Sequence, residues 1–133
     1  MKKTILLSLL SVLVFSCGKI NTPNAESKKI FGTWRFVYSS GGFSGAGNAS
    51  YDATDTYEYE ENGTFSHRKG GQLIDQMSFS LQLGPSIMSQ TDQLLIHYGG
   101  ASQQLTQSCQ IHHDTLMLSD EVFDGFQYVF VKE

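Results

Sequence analysis

The chain has 133 residues, a length that accommodates one domain and leaves no room for a second hydrophobic core. Aromatic residues make up 12% of it, and thirteen glycines against two prolines are typical of an all-β domain with tight turns. The formal net charge is −4, and no basic cluster follows residue 17. Such a surface repels a phosphate backbone, so we expect no nucleic-acid partner.

The first 17 residues have the pattern of a secretory signal sequence. Lys2 and Lys3 form a positively charged start, and residues 5–15 form an apolar run that is too short to span a bilayer comfortably. The run ends in the motif Val-Phe-Ser-Cys, which resembles a bacterial lipobox. This resemblance implies that residues 1–16 are removed as a signal peptide and that Cys17 is lipidated through its sulfur. The alternative is an ordinary signal peptide that is cleaved close to a cysteine.

The segment that follows is polar. Residues 17–29 are predicted to be a lipidated cysteine and a flexible tether, because their composition cannot bury a core. Acyl chains on Cys17 would anchor the protein in membrane lipid, since each buried methylene contributes about 0.8 kcal/mol. By the same resemblance to bacterial lipoproteins, Gly18 rather than aspartate after the cysteine implies sorting to the outer membrane, and the lack of an acidic run implies its periplasmic face. Cys109 would then have no disulfide partner, so we expect it to be buried and inert.

Residues 31–38 are predicted to form the first strand, and they contain the only tryptophan. Trp34, Phe36 and Tyr38 fall on one face, because side chains alternate along a strand. Gly32 permits a positive φ or a close backbone approach where the chain enters the sheet. The indole of Trp34 would close one end of the core, and its N–H needs a partner. The alternative is an ordinary core tryptophan after a turn glycine.

The rest of the chain has the pattern of short strands separated by glycine, asparagine and aspartate turns, with no helical period. The loop at residues 39–50 would either cover one mouth of a barrel or serve as a plain connection. The dipeptide Asn62-Gly63 predicts a hairpin. Further strands are predicted at residues 54–60, 64–69, 73–83, 87–89, 93–98, 103–112, 115–119 and 126–132.

The regular spacing of these segments predicts a small antiparallel up-and-down β-barrel of about eight strands over residues 30–133, because closure removes exposed strand edges. The alternation within residues 73–83 places five apolar side chains inward: Leu73, Met77, Phe79, Leu81 and Leu83. A barrel of this size encloses side chains or one small ligand. Since the inward residues are bulky, we expect a small cavity or none.

Three motifs carry a resemblance to a known family. They are Phe-Gly-Thr-Trp at residues 31–34, the two strands joined by Asn62-Gly63, and the final pair of strands in residues 114–130. Together they resemble the lipocalin-like lipoproteins that are common in Bacteroidetes. The resemblance implies a lipocalin-like barrel, with Gly32 and Trp34 as the barrel-closing motif. That family usually has an arginine packed over the tryptophan, and here the last strand offers Lys132 near that place.

Two hypotheses about function, from different classes, remain open. The first is a binding module whose barrel mouth holds a small apolar or amphiphilic molecule, with Tyr57, Tyr59 and Tyr98 supplying rings and hydroxyl groups. The second is a protein-interaction or structural lipoprotein of the envelope, such as an assembly accessory or an enzyme inhibitor, with a filled barrel. We favour the binding module.

Catalytic and metal-binding patterns are weak. The sequence Ser-His-Arg-Lys at residues 66–69 has the S-x-x-K spacing, but its serine lies in a predicted strand and not at a helix start. His112 and His113 are adjacent, so in a strand they point to opposite faces, and the spacing of the four histidines indicates no metal site. We therefore predict that the protein is not an enzyme, and we expect no catalytic residues, metal or cofactor.

Overall fold

The computed structural model describes residues 25–42, 52–99 and 105–133. A short 3-10 helix (Ser27–Ile30) leads into eight strands, and this part of the chain contains no α-helix. The strands are β1 (Gly32–Gly41), β2 (Asp55–Tyr59), β3 (Thr64–Lys69), β4 (Gln72–Pro85), β5 (Asp92–Gly99), β6 (Leu105–His112), β7 (Thr115–Asp120) and β8 (Phe126–Lys132).

The eight strands form one closed barrel in which each strand pairs antiparallel with the next. Closure is made by β8, which returns to β1 so that Phe36 lies opposite Phe130 and Gly41 lies opposite Phe126. The predicted fold class, an antiparallel up-and-down barrel of about eight strands, is confirmed. The predicted signal peptide, Cys17, and most of the loop after β1 lie outside the described residues.

The predicted hairpin between β2 and β3 is present. The Glu60 N–H donates to the Thr64 carbonyl at 2.9 Å and closes the hairpin. The Gly63 N–H donates to the Glu60 carbonyl at 3.0 Å. The Asn62 side chain accepts from Thr64 N–H at 2.8 Å. Gly63 also accepts from Phe79 N–H at 2.8 Å, so the turn is fixed to β4 as well.

A bulge changes the predicted facing of β1. The pairing of β1 with β8 shifts between Phe36 and Tyr38, which places an extra residue in β1. An extra residue reverses the alternation beyond it. Trp34 and Phe36 are therefore buried as predicted, whereas Tyr38, predicted to share their face, is 47% exposed. The strand also continues to Gly41, into residues that were predicted to be loop.

Strand β4 shows the same effect. Its pairing with β3 shifts between His67 and Arg68, so Leu73 lies opposite the outer-face residue Arg68. The prediction that Leu73 points inward was wrong for this reason, and the side chain is 48% exposed. Leu83, also predicted inward, is 62% exposed near the far end of the strand, two residues before Pro85. The predicted strand at residues 87–89 is a turn between β4 and β5.

The core lies inside the barrel and is rich in aromatic rings. Its buried members are Ile30, Trp34, Phe36, Tyr59, Phe65, Phe79, Ile96, Tyr98, Cys109, Leu116, Leu118 and Phe130. Ile30 belongs to the 3-10 helix, so this short helix, part of which was predicted to be tether, packs against the barrel.

Candidate functional site

One end of the barrel is closed by Trp34 and the 3-10 helix. Trp34 is fully buried, and its Nε1–H donates to the Ile30 carbonyl at 2.6 Å. Gly32 has a φ of +124°, in line with the expectation for its place at the strand entry. Lys132 Nζ lies 5.1 Å from the centre of the indole ring. The lysine thus makes a cation–π contact with the indole.

The middle of the lumen is filled by side chains. Phe65 packs against both Tyr59 and Tyr98, with ring centres 5.1 and 5.2 Å apart. Tyr59 also meets Phe79 edge to face at 5.2 Å. These rings separate the end closed by Trp34 from the opposite end, where the β3–β4 turn lies. We call this second end the mouth.

A cavity of about 160 Å³ remains in the mouth. Its lining residues come from β2 to β6 and are Tyr57, Phe65, His67, Asp75, Met77, Tyr98, Leu105 and Gln107. Of the three tyrosines predicted to bind a ligand, Tyr57 and Tyr98 line the cavity. Tyr59 does not, because it lies one step deeper in the lumen and is only 1% exposed. The expectation of a small cavity agrees with this volume.

A chain of hydrogen bonds runs from the filled lumen to the mouth. The hydroxyl groups of Tyr59 and Tyr98 are 2.6 Å apart. Tyr98 donates to Gln107 Oε1 at 3.0 Å, and Gln107 Nε2 donates to Asp120 Oδ1 at 2.9 Å. Since the Tyr98 proton goes to Gln107, Tyr59 is the donor to Tyr98. All of these donors therefore point towards Asp120, which ends the chain as an acceptor.

Asp120 is well supplied with donors. Its second oxygen accepts from the Phe126 N–H at 3.1 Å and from the Tyr128 hydroxyl at 3.4 Å. The side chain lies just behind Gln107, which is 6% exposed, and its hydrogen-bonding capacity is used within the protein.

Two further carboxylates lie on the other side of the mouth. His67 Nε2 is 2.5 Å from Asp55 Oδ1, and the His67 ring contacts Tyr57 edge to face at 4.9 Å. Asp75 lies opposite His67 on β4. One of its oxygens accepts from the Gln76 N–H at 2.8 Å, and the side chain is exposed at the rim.

The electrostatics of the cavity follow from burial and these carboxylates. Burial raises the pKa of Tyr57 to about 12, and the charges of Asp55, Asp120 and Asp75 add to the rise. Burial likewise raises the pKa of Tyr98 well above its ordinary value. The tyrosine hydroxyl groups are therefore neutral at physiological pH and act as hydrogen-bond groups, in a region of negative potential.

The polar residues of this site were not predicted from the sequence, although the alternation of inward-facing side chains indicated them. Asp55 precedes Tyr57 by two residues, His67 follows Phe65 by two, and Asp75 precedes Met77 by two. Each polar residue thus continues the inward alternation of its strand by one step towards the mouth. Gln107 lies opposite Ile96 and faces inward in the same way.

A second depression, of about 380 Å³, lies near the end closed by Trp34. It is formed by β4, β5, β6 and Glu26, and it includes Leu83, Leu94 and Cys109. Among its described lining residues there is no tyrosine, phenylalanine or tryptophan. Of the predicted tyrosines, Tyr57 and Tyr98 line the mouth cavity and are not among the described lining residues of this depression.

Cys109 is 4% exposed, so the expectation of a buried thiol is confirmed. Burial raises its pKa to about 12, which keeps it protonated and unreactive. Within residues 25–42, 52–99 and 105–133, no group of three histidine, cysteine, aspartate or glutamate side chains could hold a metal ion. In the same ranges no helix is long and apolar enough to cross a membrane.

Comparison of the chain with protein-family models, with curated proteins and with solved structures returned no match.

Proposed function

We propose that this chain is a lipoprotein of the bacterial cell envelope whose barrel binds a small apolar or amphiphilic molecule. In this proposal, acylated Cys17 anchors it in the outer membrane, and the barrel faces the periplasm. The protein acts by binding, without catalysis and without a cofactor. Support comes from the lipobox-like residues 14–17 and from the resemblance of residues 30–133 to lipocalin-like lipoproteins.

The observation that carries the binding proposal is the cavity in the mouth. Its walls combine the rings of Tyr57, Phe65 and Tyr98 with the polar side chains of His67 and Gln107. Apolar walls with a few fixed polar groups are the usual composition of a small-molecule site. The volume of about 160 Å³ is well below the roughly 300–1,000 Å³ of pockets for drug-sized ligands. The ligand is therefore small, or only one end of a larger molecule enters.

Methionine methyl groups provide a direct test. Met77 lines the cavity, whereas Met88 is exposed on the turn after β4 and Met117 lies on β7 away from it. The full chain would be labelled with ¹³C-methyl methionine, placed in nanodiscs and titrated with benzyl alcohol and short-chain alcohols. We expect the Met77 resonance to shift with saturation, while the resonances of Met88 and Met117 stay in place.

A matched pair of variants controls this experiment. Leu105→Trp puts a large ring at the cavity rim, where Leu105 is 46% exposed, and should abolish the Met77 shift. Ile87→Trp makes a similar change at a position that is 50% exposed and outside the lining, and should leave the shift intact. A Met77 resonance that no probe moves would contradict the binding proposal.

A second candidate function, protein interaction, is favoured by an exposed apolar patch. Val122 and Phe123, in the loop after β7, are 54% and 85% exposed. Glu121 bonds Ser86 and Ile87, so this loop is tied to the turn that carries Ile87 and Met88, both about half exposed. A photoreactive residue at position 123 should capture a specific envelope protein if this function operates. Crosslinks no stronger than those from position 38, another exposed aromatic site, would count against it.

A further inference from the structure

We propose that the molecule held in the mouth is a small organic amine, whose ammonium group lies beside Asp75 and whose apolar body packs against Tyr57, Phe65 and Met77. This inference rests on the proposed binding function and names the class of its ligand. It comes from the placement of charge around the cavity, which differs from that of a site for a neutral apolar molecule.

Asp75 is the carboxylate among the lining residues. It accepts a hydrogen bond from the neighbouring Gln76 N–H, and no lysine or arginine of the described ranges makes a salt bridge with it. A carboxylate accepts through two oxygens, with about four acceptor positions. Asp75 therefore has acceptor positions left for a ligand at the rim, whereas the two oxygens of Asp120 already take three donors.

The groups around Asp75 add to the negative potential. Asp55 contacts the cavity residue His67, and Asp120 accepts from the cavity residue Gln107. Carboxylates therefore lie on several sides of the cavity. No lysine or arginine is among the described lining residues. Lys69, at the end of β3 next to the mouth, pairs with Asp52 at 3.3 Å. An anionic ligand would enter this field unfavourably, and a cation would be attracted.

The apolar walls suit the rest of such a ligand. The rings of Tyr57, Phe65 and Tyr98 offer faces and edges to a bound group. Aromatic faces attract cations as well as apolar groups. The Tyr57 hydroxyl stays neutral because burial and the nearby carboxylates raise its pKa to about 12. The cavity volume of about 160 Å³ suits a compact amine and excludes a long acyl chain.

Three probes of nearly one shape test the inference: benzylamine, benzyl alcohol and benzoate. Each would be titrated into the full chain in nanodiscs of zwitterionic lipid, with the Met77 methyl resonance as the readout. We expect benzylamine to bind about tenfold more tightly than benzyl alcohol, since hydrogen bonds to charged groups are the stronger ones. Benzoate should not bind.

Variants assign the effect to Asp75. Asp75→Asn should weaken benzylamine about tenfold and leave benzyl alcohol unchanged, because it removes the charge and keeps the shape. Asp114→Asn makes the same change in the β6–β7 turn at the other end of the barrel, and should alter neither affinity.

The outcomes separate this inference from the proposed function. If benzyl alcohol binds as tightly as benzylamine, the amine assignment is overturned and the binding function stands. The same follows if benzoate binds best, or if Asp75→Asn weakens both ligands equally. If no probe moves the Met77 resonance, both the amine assignment and the proposed function fail.

Discussion

The buried indole of Trp34 joins the 3-10 helix to the barrel through one hydrogen bond and close packing. Trp34→Phe would leave the Ile30 carbonyl without its donor and open a void in a fully buried position. We expect a loss of about 2–4 kcal/mol in the free energy of unfolding, measured by urea titration with circular dichroism. Lys132→Met removes the cation above the ring and the long, exposed hydrogen bond from Lys132 Nζ to the Lys29 carbonyl at 3.5 Å, and should cost less than about 1 kcal/mol. Equal losses for the two variants would contradict this.

Two glycines with positive φ should respond very differently to alanine. Gly32 has a φ of +124°, outside the small left-handed region that other residues can enter. Gly70 has a φ of +57°, inside that region, and a Cβ there would meet nothing within 4 Å. We expect Gly32→Ala to cost about 2–3 kcal/mol and Gly70→Ala about 1 kcal/mol. Urea midpoints of the two variants, compared with the parent protein, measure the difference; a larger loss at Gly70 would refute it.

At the scale of elements, the turn between β4 and β5 is held by a carboxylate from another part of the barrel. Glu121 follows β7 and accepts from Ser86 Oγ at 2.7 Å and from Ile87 N–H at 2.6 Å. Ser86 Oγ in turn accepts from Met88 N–H at 3.1 Å. Burial alone would raise the pKa of Glu121, but these hydrogen bonds outweigh it and lower the pKa below the ordinary 4.5.

This lowered pKa predicts a loss of stability in acid. A group with a depressed pKa stabilises the folded state above its unfolded pKa, here 4.5, and the contribution disappears as pH falls through the folded value. We therefore expect Glu121→Gln to lower the urea midpoint at about pH 6 and to have little effect at about pH 3. Ser86→Ala removes one of the two donors, so the pH-dependent part of its effect should be smaller; it should also lower the midpoint at both pH values, because the Met88 and Ser89 N–H groups lose their acceptor. A Glu121→Gln effect that is constant with pH would contradict this.

Within the strands, alternation predicted burial correctly at most positions where the pairing is regular, and Leu83, near the end of β4, is an exception. Trp34 and Phe36 in β1, and Phe79 in β4, are buried as expected. The errors at Tyr38 and Leu73 both lie next to a register shift, Tyr38 after one in β1 and Leu73 before one in β4. A bulge is set by how two strands fit across the barrel, and the period of a single strand does not contain that information. Turn dipeptides such as Asn62-Gly63 were reliable because their conformation is local.

At the scale of the whole molecule, the alternation pattern predicted which residues of β2 face the lumen, but it did not predict how deep in the lumen each one lies. Tyr57 and Tyr59 share one face of β2, yet Tyr57 lines the cavity and Tyr59 is buried beneath it. Depth depends on the stagger of strands around the closed barrel. The partnership of His67 with Asp55, and of Gln107 with Asp120, depends on which strands become neighbours. The aromatic half of the site could therefore be predicted, and its charged half could not.

The two cysteines give a matched test of the proposed membrane anchor. Cys17→Ser should abolish incorporation of a clickable palmitate analogue and move the protein from the membrane fraction to the soluble fraction. Cys109→Ser should change neither, because this thiol is 4% exposed and burial raises its pKa to about 12. Thiolate is the nucleophilic form, so a thiol with that pKa reacts slowly at neutral pH. Acyl label that persists in Cys17→Ser would contradict the anchor, as would Cys17→Ser protein that stays in the membrane fraction.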